Sequence, residues 1–224
     1  MSQKRVAAIK IEDDPEGYPL GAFCIPAHYA DYLEKIIIPL GVVKDRTEKL
    51  ARDIVEDIGD GPIVALCVLK GGHQFFHDLL EWIQIIGRTS TKNIMQIRVD
   101  FIRLKSYVNE ESTGEVQIIG NDDLNGIRGR NVLVVEDIVD TGKTMEKLLG
   151  ELKKYEPKMV KVASLLTKRS KARIHGQAYT PEYVGFDVPK KFVVGYSLDY
   201  NEYFRDLGHI CLINEKGKEK FKSD

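Results

Sequence analysis

The chain has 224 residues, of which 43% are hydrophobic and 30% charged, a composition that suits one globular domain with a buried core. Its 33 basic and 34 acidic residues leave a formal net charge of −1. No global basic field is therefore available to hold nucleic acid or an anionic membrane, and any anion site must be local.

Three scattered cysteines, Cys24, Cys67 and Cys211, argue against a disulfide framework and against a thiolate zinc site. The first residues hold no apolar stretch of signal-peptide length, and the longest apolar run, 63–69, is too short to cross a bilayer. A soluble protein of the reducing cytoplasm is the expectation.

Residues 1–40 read as irregular, broken by Pro15, Gly17, Pro19, Pro26 and Pro39. Leu50, Ile54 and Ile58, with Ala51 and Val55, give residues 45–58 one apolar helical face. The run 63–69 is apolar throughout, as in a strand covered on both faces, and Gly71 and Gly72 turn the chain. A helix is expected over 74–86 and a strand over 95–102. Residues 105–120 are polar and weakly patterned at first, as in a functional flap whose later part forms a β-ribbon. A buried strand at 132–135 and a helix at 143–155 follow. Strands at 160–166, 183–188 and 192–196 complete the series. Strands alternating with helices predict a parallel sheet covered on both faces, with ligands beyond the carboxyl ends of the strands.

After the strand at 132–135 come Glu136, Asp137, Ile138, Val139, Asp140, Thr141, Gly142, Lys143 and Thr144. A helix start offers unpaired N–H groups and the positive end of the helix dipole. Gly142 allows close backbone approach, and Thr141 and Thr144 add hydroxyl donors. Taken alone, this turn is also an ordinary helix cap. The adjacent carboxylates Glu136 and Asp137 repel unless a metal, sugar hydroxyls or solvent reconciles them. A cis-diol with Mg²⁺, which prefers oxygen ligands, would do so. A Walker A loop is excluded, because it needs a glycine where this chain has Asp137.

The run VLVVEDIVDTGKT closely resembles the phosphoribosyl pyrophosphate signature of the type I phosphoribosyltransferases. KFVVGYSLDYNEYFRD (191–206), FIRLKSY (101–107) and IVALCVLKGG (63–72) resemble the hypoxanthine-guanine branch of that family. The resemblance covers about residues 13–220, and only 170–180 look unusual. It implies a type I phosphoribosyltransferase fold, with a central, mostly parallel sheet flanked by helices. Residues 40–195 would be the core, and residues 1–39 and 196–224 a hood over the purine site.

It also implies roles. The loop 136–144 would hold the 5′-phosphate and ribose. Lys70, Gly71 and Arg205 would bind pyrophosphate, with a non-proline cis peptide at Leu69–Lys70. Ser106 and Tyr107 would form the closing flap, which excludes water from an oxocarbenium-like centre. Phe192 would stack on the purine, with Lys191 and the Val193 backbone beside it, and Lys168 would meet its exocyclic oxygen. Asp199, with Glu136 and Asp137, would serve Mg²⁺, and Asp140 would take the base's proton. The implied substrates and products are phosphoribosyl pyrophosphate, hypoxanthine, guanine, IMP and GMP. The implied assembly is a homodimer or homotetramer. A second reading is a catalytically weak nucleotide-binding regulator on the same scaffold. A sensor needs only the phosphate loop, so the presence of Asp140, Lys168, Asp199 and Arg205 together favours the enzyme.

Overall fold

The computed structural model describes residues 7–59, 61–90, 95–106, 116–119, 124–169 and 179–223. Its strands are β1 (Ile9–Lys10), β2 (Leu33–Ile38), β3 (Ile63–Leu69), β4 (Ile97–Ser106), β5 (Val116–Ile119), β6 (Asn131–Val139), β7 (Met159–Lys168), β8 (Tyr183–Val188), β9 (Val193–Val194) and β10 (Ile210–Ile213). A seven-stranded sheet has the order β1-β8-β7-β6-β3-β4-β5. All neighbours in it are parallel except the last pair, where β5 runs antiparallel to β4.

The apolar runs become central strands because both faces are covered. Ile63, Val64, Ala65, Leu66 and Cys67 are each 1% exposed or less. Successive residues of β3 face opposite sides. Ala65 and Cys67, with Leu133 and Val135 of β6, pack under α1 (Leu40–Ile58) and α2 (His73–Ser90). Val64 and Leu66, with Val132 and Val134, pack against Leu148 and Leu152 of α3 (Lys143–Lys153). Burying one such aliphatic side chain stabilises the fold by about 1.5–3 kcal/mol, which makes these layers the main support of the sheet.

Several boundaries differ from the sequence-based expectation, each for a local reason. The helix expected at 45–58 starts at Leu40, directly after Pro39 (φ −62°), and the Leu40 N–H donates to His209 Nδ1 at 2.9 Å. The strand expected at 132–135 continues to Val139, because β7 pairs with it through Val139↔Thr167. The strand expected at 192–196 is only Val193–Val194, since the backbone turns at Gly195 (φ +96°).

The first forty residues are not wholly irregular. β2 joins β10 and β9 in a second, three-stranded sheet, in which both pairings are antiparallel. A separate apolar cluster fills this part, with Tyr29, Ile36, Phe204 and Leu207 inside. Asn214 caps the final helix, Glu215–Lys220, by accepting from the Gly217 N–H at 2.8 Å.

Candidate active site at the carboxyl ends of the parallel strands

The ends of β3 and β6 and the loop 195–206 enclose a cleft of about 500 Å³. The acidic wall belongs to β6. Glu136 and Asp137 lie within the strand, and each carboxylate folds back onto a main-chain amide. Asp137 N donates to Glu136 Oε1 at 3.0 Å, and Ile138 N to Asp137 Oδ1 at 2.7 Å. Glu136 keeps some surface open to the cleft. Even so, the protein packed around its carboxyl, together with the Asp137 charge, pushes it well above the usual carboxylate range. A divalent cation or sugar hydroxyls would relieve this pair.

The loop expected to hold a phosphate follows at once. Gly142 takes a left-handed conformation (φ +80°, ψ −10°) that suits glycine, and Tyr179 packs behind it. The Lys143 N–H points to Thr141 Oγ1 at 3.5 Å. Ile138, Val139, Asp140, Thr141, Gly142 and Thr144 all line the cleft. Lys143 is exposed, and the lining passes it by.

The cationic wall stands opposite. The Leu69–Lys70 peptide is cis, and Lys70 and Gly71 line the cleft. Gly71 lies so close to Asp137 that a Cβ placed there would sit 1.6 Å from Asp137 Oδ2. Arg205 is held by three acceptors: Nη1 donates to Ser197 O at 2.7 Å, and Nη2 lies 2.8 Å from Asp199 Oδ1 and 3.3 Å from Glu202 Oε2. Glu202 also reaches Lys70 Nζ at 2.8 Å. The Lys70 ammonium, with Arg205 beside it, holds the Glu202 carboxyl below its usual range. Neither Glu202 nor Arg103, which also lines the cleft, was expected there. Glu202 carries one faint signal, since it sits three residues from both Asp199 and Arg205.

The residues expected to hold the purine form a group beside this cleft. Val139 pairs with Thr167, so Asp140 and Lys168 leave neighbouring strands side by side. Lys168 Nζ lies 5.4 Å from the centre of the Phe192 ring, which is 41% exposed and meets Tyr200 edge-on. Val193 is buried in β9. The Lys191 ammonium is turned away to Asp14, at 3.2 Å, and lines a separate recess. Ser106 ends β4, where it pairs with Val116. The ribbon expected in the flap exists to that extent, while Tyr107 lies outside the described residues.

Glu136, Asp137 and Asp199 share the cleft without forming a tight cage. Among the described residues, only His77, Asp78 and Glu81 bring three ligand atoms within 4.8 Å of one another. Asp78 there is already held by Lys44 and Tyr196. The cleft carboxylates still fit Mg²⁺, a hard cation that keeps several waters and takes few protein ligands beside substrate oxygens.

A family model described as a phosphoribosyl transferase domain matches residues 41–201. The hypoxanthine-guanine phosphoribosyltransferase of Bos taurus is 58% identical over 219 residues, covering 98% of this chain and 99% of the relative. That of Homo sapiens is 57% identical over the same shares. A crystal structure of hypoxanthine-guanine phosphoribosyltransferase from Schistosoma mansoni in complex with IMP superposes with a TM-score of 0.80 at 40% identity, covering 96% of this chain and 100% of that one. No described helix is long and apolar enough to cross a membrane. With the fold, the cleft and these likenesses in agreement, the chain belongs to the type I phosphoribosyltransferases, in their hypoxanthine-guanine branch.

Proposed function

We propose that the chain salvages purines by moving the 5-phosphoribosyl group of phosphoribosyl pyrophosphate to N9 of hypoxanthine or guanine, giving IMP or GMP and pyrophosphate. The supporting observation is a single cleft in which the phosphate loop and two acids of β6 face Lys70 and Arg205, with Lys168 and Phe192 alongside.

The 5′-phosphate would be gripped by the backbone of 138–144 and the hydroxyls of Thr141 and Thr144, at the positive end of α3. Glu136 and Asp137 would orient the ribose hydroxyls and face positive charge as it grows on the anomeric carbon. Lys70 and Arg205 would take the pyrophosphate as it leaves, aided by the Gly71 amide. Mg²⁺, held from Asp199 and the acids of β6, would supply further neutralisation of the departing charge.

Phe192 would present a ring face to the purine, with the Val193 backbone along its edge, Lys191 at its border and Lys168 donating to its exocyclic oxygen. Asp140, beside Lys168, would accept the proton that the base loses. Ser106 and Tyr107 would close over the reacting atoms and keep water out. Residues 1–39 and 196–224 would cover the purine side as a hood on the 40–195 core. The working form would be a cytoplasmic homodimer or homotetramer.

Mixing the protein with Mg²⁺, phosphoribosyl pyrophosphate and each of hypoxanthine, guanine and xanthine, and following absorbance, tests this reading and ranks the bases. Nucleotide formation from neither hypoxanthine nor guanine by folded protein would end it.

A further inference from the structure

The cleft already contains an anion on its cationic wall. Glu202 places one carboxylate oxygen 2.8 Å from Lys70 Nζ and the other 3.3 Å from Arg205 Nη2. These are the two side chains assigned above to pyrophosphate. The Glu202 side chain stays 61% exposed, so its carboxylate has room to leave at the cleft mouth and is not a buried strut.

The backbone that presents Glu202 is unusual for such a residue. Tyr200 N donates to Tyr203 O, and Tyr203 N to Tyr200 O, both at 3.1 Å. Between them Asn201 (φ +50°) and Glu202 (φ +71°) both take left-handed angles, as in a two-residue type I′ turn. Glycine is the relaxed residue at the second of these positions, and glutamate there is strained. The turn is held by its main chain, where the Glu202 N–H donates to Asp199 Oδ2 at 2.7 Å, while the Glu202 side chain lies in the open and its carboxylate meets the two cations.

We propose that Glu202 is a built-in stand-in for pyrophosphate, competing with it for Lys70 and Arg205 and so weakening the hold on substrate and product at that subsite. This rests on the assignment of the cleft to phosphoribosyl pyrophosphate. An incoming pyrophosphate group must displace the carboxylate, and the returning carboxylate helps to expel the product. The exchange breaks no covalent bond, and the cations stay paired throughout.

The alternative is that Glu202 only holds Lys70 and Arg205 in position. The two roles give opposite signs. Glu202→Gln keeps the shape and removes the competing charge. The full-length variant should bind inorganic pyrophosphate, with magnesium present, about two- to fivefold more tightly than wild type, the range set by one solvent-exposed ion pair. GMP, which carries no pyrophosphate, should bind both proteins equally. Glu202→Gly, which suits the left-handed angle, should show the same gain without any loss of melting temperature.

Calorimetric titration of both ligands into the three proteins decides the matter. Weaker or unchanged pyrophosphate binding in both variants would overturn the stand-in role and leave the cleft assignment intact. So would a gain shared equally by GMP. Wild-type protein that binds neither ligand would take down both readings.

Discussion

Gly71→Ala is the most direct test of the acidic wall. A Cβ on residue 71 would lie 1.6 Å from Asp137 Oδ2 and 2.7 Å from its Cγ. The carboxylate must retreat by roughly 1.5–2 Å to reach ordinary van der Waals contact. It is the end of a side chain, so it can move while the backbone stays. The retreat pulls against the bond from the Ile138 N–H to Asp137 Oδ1, 2.7 Å long. Loss of that bond costs about 1–2 kcal/mol, which lowers the melting temperature by roughly 3–6 °C in a chain of this size. The functional cost is larger, because a displacement of about 1 Å in a positioning group lowers rate by about 10²-fold. Steady-state kinetics with phosphoribosyl pyrophosphate as the varied substrate, beside a thermal melt, should therefore show a small stability loss and a large fall in kcat/KM. Two results would refute the reasoning. A kcat/KM within about threefold of wild type would mean that the Asp137 position does not matter. A melting temperature lower by far more than about 6 °C would mean that the backbone, not the carboxylate, gave way.

Three further outcomes are expected. Asp140→Asn should lower kcat by about 10²–10⁴-fold, the span of a lost general base, while the affinity for GMP measured by titration stays within a few-fold. Chelation with EDTA should abolish turnover, and excess Mg²⁺ should restore it in the same cuvette. Stability should fall as the pH drops below about 6.5, because burial holds His209 below its usual range while its Nδ1 accepts the Leu40 N–H. The unfolded chain takes the proton first in that window, so protonation favours unfolding. Melts across the window should show the slope in wild type and a flatter one in His209→Gln.

The central layer could be read from residues because its signals are local. Runs such as 63–69 are apolar on both faces, and Leu148 and Leu152 repeat with helical spacing. Strand ends were read less well. β6 runs through Glu136 and Asp137 because β7 offers it paired amides, and no residue pattern announces a neighbour's length. β2 and β10 were missed for the same reason: each is short, and each is made a strand by a partner far along the chain. The loop 136–144, Lys70 and Arg205 could be picked out as parts of a family motif, and all of them except Lys143 line the one cleft. Glu202 was not picked out, since its spacing to Asp199 and Arg205 hints at the site but leaves its contact with Lys70, far earlier in the chain, unannounced. Lys191 shows the converse. Its place beside Phe192 suggests the purine, and no residue pattern announces that its exposed ammonium also meets Asp14, far earlier in the chain.

Charge sets a further condition on this cleft. Its lining has carboxylates at Glu136, Asp137, Asp140, Asp199 and Glu202 against cations at Lys70, Arg103 and Arg205. A ligand carrying a pyrophosphate adds more negative charge to a site that is already rich in it. Burial and the Asp137 charge push Glu136 above the usual carboxylate range, and displacement of Glu202 would lessen the conflict at the cations. The acids of β6 and Asp199 remain, and they call for positive charge brought in with the ligand. Magnesium and the pyrophosphate-bearing sugar should therefore strengthen each other's binding by the same factor, as linkage requires. Omitting either from a titration should weaken the other. Independent binding would mean that the carboxylates stay out of the ligand's reach.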